Sequence, residues 1–341
     1  MADPHEPRVS VLMPAHNYER YVAEALESAL GQDYPAEDFE IVVVDDGSTD
    51  HTAQIIAELS DANPGRIRLT RQQNSGQIKA VGRARAEARG ELLALLDADD
   101  VWLPTKLRRQ VELLDAHPEV ALVFCDMNTI DASGKLLSHT LYQPGEFDPK
   151  RLYARVLRTN VVYNSSLIIR AEVFRDAPDT VVDWDWWLAL CAHDVGEYAY
   201  IEEPLALYRQ HGANMLLGAT GAKLLALRRR QLRFQLWTFR NLDLSSLTAT
   251  ELADIWQGSE WFVGTAAQSA GSFFVDLVTV SDDDRAQAVA ARARAERATA
   301  QGDSRQSAEL WLRALACNPY DAEVLLAFHD AVQRAVAEAD R

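Results

Sequence analysis

Acidic side chains recur along the first two thirds of the chain, and most of them directly follow predicted strands. The residues of interest are Asp45, Asp46, Asp97, Asp99, Asp183 and His211. Because loops that follow the strands of an open α/β sheet gather at one edge, residues far apart in sequence can converge on one crevice there. Carboxylates can bind a divalent metal, and a further carboxylate can act as a base. The spacing therefore predicts a site for a metal, a nucleotide diphosphate and a base.

The first acidic pair stands in a turn motif, Val44-Asp-Asp-Gly-Ser-Thr-Asp50. Gly47 permits a tight turn, and Ser48 or Thr49 can cap the helix that follows. A carboxylate held at the end of a strand can accept a hydrogen bond from a pyrimidine N–H or a ribose hydroxyl. A capped turn without any ligand fits the same residues, so the motif alone leaves both interpretations open.

The second acidic motif is the run Asp97-Ala-Asp-Asp100. Diphosphates concentrate negative charge, so carboxylates bind them through a hard divalent cation, and alternate residues past a strand end can supply its ligands. A solvated turn that caps the helix beginning near Pro104 is the alternative. The apolar run Leu92–Leu96 favours the metal site, because it predicts a buried strand that ends at the aspartates.

The elements that must position these residues alternate between strand and helix. Short β-rich runs lie at 8–13, 40–44, 67–70 and 91–96, and helical patterns follow them at 19–30, 49–59, 76–89 and 104–117. This order predicts a mostly parallel sheet. Further strands are predicted at 120–125 and 163–170, with a hairpin over 128–137 between them.

Composition predicts a soluble, enzyme-sized protein in a reducing compartment. The 341 residues carry 51 acidic and 34 basic side chains, and the net charge of −17 opposes binding of nucleic acid or anionic lipid by the surface as a whole. The three widely spaced cysteines form neither a disulfide framework nor a metal cluster. No signal segment is recognised at the start. Polar residues interrupt the apolar stretch Trp261–Val280, so we expect a packing helix there.

Six motifs follow one another over about 200 residues. They are Pro14-Ala-His-Asn17, Val44-Asp-Asp-Gly-Ser-Thr-Asp50, Gln73-Asn-Ser-Gly76, Leu96-Asp-Ala-Asp-Asp100, Asp183-Trp-Asp-Trp-Trp-Leu188 and Tyr208-Arg-Gln-His211. In this order they resemble the motifs of family 2 glycosyltransferases with the GT-A fold. The resemblance implies an α/β GT-A domain that transfers a sugar from a nucleotide diphosphate donor with inversion at the anomeric carbon.

The resemblance also implies roles for individual residues. The donor site would include Pro14, Ala15, Asn17, Asp45, Asp46, Asn74, Lys79, Asp97 and Ala98. Within it, Asp45 and Asp46 would hold the base or ribose, and Asp97 would contact the ribose or sugar. Asp99 would bind the metal that bridges the diphosphate, and His211 would approach the same metal. An imidazole ligand is compatible with Mn²⁺ as well as Mg²⁺.

Asp183 corresponds to the catalytic base of the family. Inversion requires the acceptor hydroxyl to attack opposite the leaving nucleotide, and a carboxylate placed there can take its proton. The neighbouring tryptophans are predicted either to form an apolar floor for sugar rings or to pack in the core of the helix over 184–193.

Three positions depart from the family pattern. The chain has Val81-Gly82 where the family often has a polar pair, and we expect Lys79 or Arg83 to compensate. Val182 replaces an acid that often precedes the base, and Ala189 replaces an arginine of the following helix. Acceptor binding is therefore expected to differ from that of the commoner members.

The last third of the chain is predicted to be helical. A basic amphipathic helix over 223–240 is expected either to pack against acidic groups or to meet phospholipid or a lipid-linked acceptor. A tetratricopeptide-like hairpin is predicted at about 288–330. One such unit cannot form a solenoid, so it would pack on neighbouring helices, form a homo-oligomer or hold a partner protein.

The predicted organisation is a GT-A catalytic domain at 1–217 followed by a helical region at 218–341. Within the catalytic domain, a nucleotide-sugar half would occupy about 1–103 and an acceptor half about 104–217. We expect an inverting, metal-dependent enzyme with a UDP-linked donor and a saccharide or lipid-linked hydroxyl acceptor. It would act in bacterial surface polysaccharide or glycoconjugate synthesis, in the cytoplasm and at most peripherally at the inner face of the membrane.

Two alternatives come from other classes of protein. The first is a non-catalytic sugar-binding or scaffold protein that uses the helical repeats, although Asp99, Asp183 and His211 are all present. The second is a haloacid-dehalogenase-type phosphatase, because the run at 95–101 resembles its nucleophile loop. That loop normally follows the first strand, whereas three predicted strands precede it here.

Overall fold

A computed structural model describes residues 6–143, 145–148, 151–179, 181, 183–212, 221–257 and 280–339. The predicted packing helix Trp261–Val280, apart from Val280, and Val182 lie outside the described residues. The described parts of the chain form two compact units. The first draws on Met1–Leu152, Val161–Ala177 and Asp183–Leu217, and the second on Tyr153–Asn160, Pro178–Val182 and Gly218–Arg341. The domain limits given above stay a prediction.

The first unit opens with four parallel strands in the spatial order β3-β2-β1-β4. They are β1 (Val9–Ala15), β2 (Phe39–Asp45), β3 (Ile67–Arg71) and β4 (Leu92–Leu95). The helices that connect them are α1 (Val22–Leu30), α2 (Thr52–Ala62) and α3 (Gln77–Glu87). Every residue of β1, β2 and β4 is buried, which is why these strands read as continuous apolar runs and not as alternating ones.

Five further strands, in both antiparallel and parallel pairs, complete the sheet. They are β5 (Val101–Trp102), β6 (Val120–Asp131), β7 (Leu136–Ser138), β8 (Leu167–Arg170) and β9 (Glu197–Gln210). The helices of this part of the chain are α4 (Lys106–Ala116), α5 (Leu152–Arg158) and α6 (Trp184–Ala192), of which α5, apart from Leu152, belongs to the second unit. The order continues as β4-β8-β6-β9-β5, with β7 beside β6. β8 is antiparallel to both of its neighbours, whereas β9 is parallel to β6. The predicted α/β class is confirmed, and the sheet is mixed, with parallel pairing concentrated at the β3 end.

Three strands differ in extent from the sequence prediction. β6 runs unbroken where a strand and a separate hairpin arm were predicted, and its register against β9 shifts around Asp126. The strand predicted at 163–170 begins only at Leu167, because 164–166 form a 3₁₀ turn. β9 has no counterpart in the prediction. Its charged residues and Pro204 hide the strand signal, and much of it is half-buried.

Helices make up the C-terminal part of the second unit. They are α7 (Gly221–Asn241), α8 (described over 249–257), α9 (Asp282–Gln301), α10 (Ser304–Cys317) and α11 (Ala322–Ala339). A capping box formed by Ser281 and Asp284 starts α9, and Gly302 ends it with a φ of 81°. α10 packs against both α9 and α11. The predicted helical region is confirmed, while its likeness to a tetratricopeptide hairpin stays a prediction.

The basic helix predicted at 223–240 lies within α7. Its apolar side chains include the buried Leu232, Phe234 and Phe239. Arg240 forms an ion pair with Asp284 of α9, with 2.6 Å between Nη1 and Oδ1. This contact is of the kind that the packing interpretation expects. Across the described helices, none combines the length and apolar character that a membrane span needs.

Candidate active site

Two strand ends bring the acidic run Asp97–Asp100 next to the Tyr208–His211 motif. Asp97 to Asp100 follow β4 directly, and the end of β9 pairs with β5, the strand that comes after them. The backbone N–H of Arg209 donates a hydrogen bond to Asp100 Oδ1 at 2.9 Å, across 109 positions of sequence. Antiparallel pairing of β5 with β9 therefore places the two motifs at one edge of the sheet.

Asp99 and His211 meet at the centre of this edge. His211 Nε2 lies 2.9 Å from Asp99 Oδ2, and the two side chains are only 6% and 8% exposed. The imidazole stacks on the ring of Tyr21 at a centroid distance of 4.9 Å. Burial raises the pKa of the Asp99 carboxyl, and the hydrogen bond and charge of His211 oppose that rise. The pair is thus a desolvated carboxylate with an imidazole held in contact.

The two flanking aspartates add negative charge to the same buried space. Burial, followed by the charge of Asp99, raises the pKa of Asp97 to about 7. Asn164 Nδ2 counters this by donating to the Asp97 carboxylate oxygens at 3.2 and 3.3 Å. Burial, together with the charges of Asp99 and Asp97, raises the pKa of Asp100 well above its usual value. Three adjacent carboxylates therefore compete for ionisation, and a bound cation would relieve that competition.

Asp99 and His211 offer two protein ligands for such a cation. Among the residues that the structure describes, no group of three or more His, Cys, Asp or Glu side chains is arranged to hold a metal ion by itself. This set fits an ion that is bound by one or two protein groups, several waters and substrate phosphates, which is how Mg²⁺ sites are commonly built. A mixed carboxylate and imidazole set is compatible with Mn²⁺ as well.

The first acidic pair, at the end of β2, has a different environment. Asp45 is fully buried, and its carboxylate accepts hydrogen bonds from Arg71 Nε at 2.8 Å and from the Ser48 N–H at 3.2 Å. The neighbouring Asp46 accepts from Gln72 Nε2 at 2.8 Å. These contacts tie the β2–α2 turn to the end of β3 and the loop after it.

Backbone groups complete the environment of Asp46. Its carboxylate accepts from the N–H groups of Ser75 and Gly76 at 2.9 and 2.8 Å. Burial opposes ionisation of Asp46, but the hydrogen bonds from Gln72, Ser75 and Gly76 together hold its pKa below the usual value. Gly47, with φ of 72°, closes the turn so tightly that a Cβ there would lie 2.7 Å from Asn74 N. Asp46 therefore holds the loop over 72–76 in place, and Asp45 holds Arg71 directly before it.

Exposed polar groups line the outer side of this loop. His16 Nδ1 donates to Asp46 O at 2.9 Å, because a carbonyl can only accept, and this leaves Nε2 as the acceptor. Nε2 lies 3.1 Å from Asn74 Nδ2 and 3.2 Å from Asn17 Nδ2. Asn17 itself has a φ of 60° and accepts from the Thr49 N–H at 2.8 Å. His16 thus joins the loops after β1, β2 and β3, whereas Pro14 and Ala15 are buried within β1.

Two further predicted residues lie on helices. Lys79 is in the first turn of α3 with its side chain exposed, and within the described part of the chain no ion pair joins it to the aspartates. Asp183 is half-buried at the N-cap of α6, where its carbonyl accepts from the Trp187 N–H at 3.2 Å. The structure therefore joins neither residue to the Asp99–His211 pair by a described hydrogen bond.

The tryptophans beside Asp183 are packing residues. Trp184, Trp186 and Trp187 are 3%, 0% and 5% exposed. The Trp184 ring lies 5.0 Å from that of Phe174, and Trp187 Nε1 donates to Arg175 O at 3.1 Å. A floor for sugar rings needs an open aromatic face, so this geometry favours the core interpretation.

Comparison with known proteins identifies the family. The profile described as Glycosyl transferase family 2 matches residues 10–176. An uncharacterized glycosyltransferase of Nostoc sp. (strain PCC 7120) is 35% identical over 224 residues, which are 63% of this chain and 68% of that protein. The chain belongs to glycosyl transferase family 2. This membership makes it a glycosyltransferase and sets aside the phosphatase alternative.

Other relatives of this glycosyltransferase are matched over a smaller share of their length. An uncharacterized protein of Mycobacterium tuberculosis is 33% identical over 208 residues, 60% of this chain and 59% of that protein. Chondroitin synthase of Escherichia coli is 30% identical over 208 residues, 61% of this chain but only 30% of that protein. The match thus spans 59% of the mycobacterial protein but only 30% of the chondroitin synthase.

Solved structures with the same fold cover nearly the whole glycosyltransferase chain. Staphylococcus aureus TarS 1–349, in complex with UDP-GlcNAc, has a TM-score of 0.60 and 20% identity, covering 98% of this chain and 91% of that one. A mannosyltransferase from Pyrobaculum calidifontis, in complex with GDP-Man and Mn²⁺, has a TM-score of 0.54 and 21% identity, covering 98% and 88%. The predicted GT-A fold is confirmed.

Sequence reasoning missed several residues that shape the glycosyltransferase site. They are His16, Asp100, Asn164, Ser165 and Arg209. Ser165 Oγ accepts from the Asp97 N–H at 3.0 Å, and Ser165 O accepts from Trp102 Nε1 at 2.9 Å. The signal for His16, Asp100 and Arg209 was their place inside recognised motifs. Asn164 and Ser165 had only a weak one, a polar Asn-Ser-Ser run before an apolar strand.

Proposed function

We propose that this glycosyltransferase moves a sugar, with inversion and in a metal-dependent way, from a nucleotide diphosphate sugar to a hydroxyl acceptor. The observation that carries the proposal is the buried Asp97, Asp99 and Asp100 cluster with His211 in contact. The three carboxylates outnumber the described buried cation beside them, Arg209, and a bound metal ion would supply further positive charge. A UDP-linked donor is our expectation. The TarS structure with UDP-GlcNAc and the mannosyltransferase structure with GDP-Man and Mn²⁺ support a nucleotide sugar and a metal, respectively.

The metal, Mn²⁺ or Mg²⁺, would be held by Asp99 and His211. When bound, it offsets the charge that develops on the departing diphosphate. Asn164 fixes the Asp97 carboxylate toward the ribose or sugar, and the Ser165 hydroxyl fixes the backbone at the same residue. Ala98 is buried between the two aspartates and supplies the tight turn of the chain with little side-chain bulk.

The nucleoside would lie against the loops after β1, β2 and β3. His16, Asn17 and Asn74 present polar groups there and are linked to one another. Asp45 and Asp46 would lie beneath these loops and, together with Pro14 and Ala15, shape the wall of the nucleoside pocket. Lys79 is exposed on α3 and would contact the bound donor.

Asp183 would take the proton of the acceptor hydroxyl. It lies at the N-terminus of α6, where the helix dipole favours a negatively charged side chain. An ionised carboxylate is the form that can act as a base.

The acceptor would be a saccharide or a lipid-linked sugar of bacterial surface polysaccharide or glycoconjugate synthesis. Support comes from the relatives named chondroitin synthase of Escherichia coli and hyaluronan synthase of Pasteurella multocida. The proposed setting is the cytoplasm, with at most peripheral contact at the inner face of the membrane. The C-terminal helices, including the tetratricopeptide-like hairpin, would serve a homo-oligomer or a protein partner.

A donor panel tests the proposal. Nucleotide diphosphate release and donor binding are measured with Mn²⁺ or Mg²⁺ for the wild type, Asp99→Ala, Asp183→Asn and the control Asp61→Ala, whose exposed side chain lies in α2. We expect Asp183→Asn to bind donor but lose transfer, Asp99→Ala to lose metal-dependent binding, and the control to behave as wild type. If the wild type binds no nucleotide sugar in a metal-dependent way, the proposal is wrong.

A further inference from the structure

Arg209 is a buried cation that the proposed reaction does not use. Its side chain is only 2% exposed, although it lies on the last residues of a strand that ends at the site. Arg209 lies in β9 and His211 directly follows the strand, and both side chains contact the ring of Tyr21. A buried guanidinium at this position needs partners, and its partners are informative.

Two contacts join Arg209 to the aspartate run. Its Nε donates to the backbone carbonyl of Asp99 at 2.8 Å, and its own N–H donates to Asp100 Oδ1 at 2.9 Å. The hydrogen bond from Nε holds the main chain of Asp99, which is the proposed metal ligand. Arg209 therefore restricts where the Asp99 carboxylate can lie.

The far side of the guanidinium binds α1. Arg209 Nη2 donates to Glu24 Oε2 at 2.6 Å, across 185 positions of sequence. The Glu24 side chain is 54% exposed, so it reaches the buried cation from the surface of the helix. The bidentate shape of a guanidinium allows it to serve a carbonyl and a carboxylate at once, which a lysine ammonium does less well.

Tyr21, one turn before Glu24, contacts both Arg209 and His211. The Arg209 guanidinium lies 5.0 Å from the centroid of its ring, and the His211 imidazole stacks on it at 4.9 Å with 30° between the planes. One aromatic ring thus sets the position of the cation and the plane of the imidazole.

We propose that Glu24, Tyr21 and Arg209 form a positioning set for the metal ligands, anchored on α1. Arg209 fixes the backbone of Asp99, Tyr21 fixes the plane of His211, and Glu24 holds Arg209 in place. The inference rests on the proposed function, because it takes Asp99 and His211 as the metal ligands. None of the three positioning residues touches the metal, and their effect is to arrange its ligands before it binds.

The test measures Mn²⁺ binding directly, by titration of the purified full chain in the presence of UDP and, separately, GDP. Groups that orient metal ligands typically change metal affinity by about 10- to 100-fold when they are removed. We expect Glu24→Ala to weaken Mn²⁺ binding about tenfold and Arg209→Lys to weaken it at least as much. Glu24→Gln keeps an acceptor oxygen and should recover part of the loss.

Glu27→Ala is the matched control. Glu27 is an exposed acid on the same helix, so the variant makes the same change of charge away from Arg209. Its Mn²⁺ affinity should equal that of the wild type. Glu24→Ala should melt at a lower temperature than Glu27→Ala, because it removes a partner of the buried Arg209. The metal-free binding of nucleotide should be the same in both variants, since a general loss of structure would lower it.

Two results would overturn the inference. Mn²⁺ affinity of Glu24→Ala equal to that of Glu27→Ala would show that Glu24 does not act on the metal ligands, while the proposed function would stand. Absence of Mn²⁺ binding in the wild type with either nucleotide would remove the metal assignment itself, and the proposed function would fail with it. The two failures are thus distinguished by the wild type.

Discussion

Two pairs of aspartates follow strands of the same sheet in this glycosyltransferase, and their surroundings are opposite. Asp45 and Asp46, after β2, accept hydrogen bonds from an arginine, an amide side chain and three backbone N–H groups. Asp97 and Asp99, after β4, share a buried space with Asp100, and the described donors to the pair are Asn164, Gln77 and His211. The first pair is stabilised by the protein itself. We propose that a bound metal ion stabilises the second.

This difference teaches that a carboxylate pair after a strand is not by itself a binding motif. What separates a structural pair from a functional one is the number of donors that the rest of the fold supplies. Removing members of the two pairs should therefore have opposite consequences for stability and for activity.

The largest expected effect is on turnover at the β4 end. Asp99→Ala removes a proposed metal ligand, and we expect transfer to fall about 10³-fold, or about 4 kcal/mol of transition-state stabilisation. Its melting temperature without metal should not fall below that of Asp61→Ala, since a repelled charge has been removed. If Asp99→Ala lost activity because it unfolded, the contrast between the two aspartate pairs would be wrong. Rates at saturating metal and thermal melts on the same samples decide this.

A stability effect of similar size is expected at the β2 end. Asp46→Ala leaves the N–H groups of Ser75 and Gly76 without their acceptor, and we expect the free energy of unfolding to fall by about 3 kcal/mol. Urea denaturation beside Asp61→Ala measures it. Equal stability of the two variants would contradict the structural role.

Lys106 extends the comparison to a buried cation. It is fully buried, its Nζ donates to Gln110 Oε1 at 2.6 Å, and burial lowers its pKa to about 8 from 10.5. The Lys106 amine binds its proton more tightly in the unfolded chain than in the folded one. The free-energy cost of burying the protonated amine is therefore complete below pH 8 and disappears as the pH rises toward 10.5. Lys106→Met should therefore raise the free energy of unfolding by about 2 kcal/mol at pH 7. Denaturation at pH 7 and pH 10 should show this gain shrinking, and a gain independent of pH would contradict the assignment.

The smallest expected effect has the opposite sign to that of Asp46→Ala. Asp100→Asn keeps an acceptor for the Arg209 N–H but removes one of three competing charges. Without metal at pH 8, we expect the free energy of unfolding to rise by about 1 kcal/mol. Thermal melts in chelator measure it. A decrease would show that the β4 cluster is as well satisfied as the β2 pair.

Much of the first unit could be predicted from the sequence, because buried parallel strands give continuous apolar runs with turn residues after them. β1, β2 and β4 were predictable for this reason, whereas the approach of His211 to Asp99 was implied by the family resemblance. β9 was not, since its glutamates and Pro204 belong to a half-buried strand that is defined by its pairing with β6. The role of Arg209 was equally hidden. It depends on contacts with α1 and β4 that no local pattern encodes.

The separation in sequence of the residues that meet at the site has a consequence for how the chain folds. Asp99 and His211 are 112 positions apart, and Glu24 and Arg209 are 185 apart. Contacts between such distant residues require large loops to close, so they form slowly compared with local ones. β9 is the last strand of the sheet to be synthesised, and until it pairs with β6 the nascent enzyme has the first proposed metal ligand, Asp99, without the second, His211. We therefore expect metal affinity to appear late in refolding, after the parallel strands have assembled.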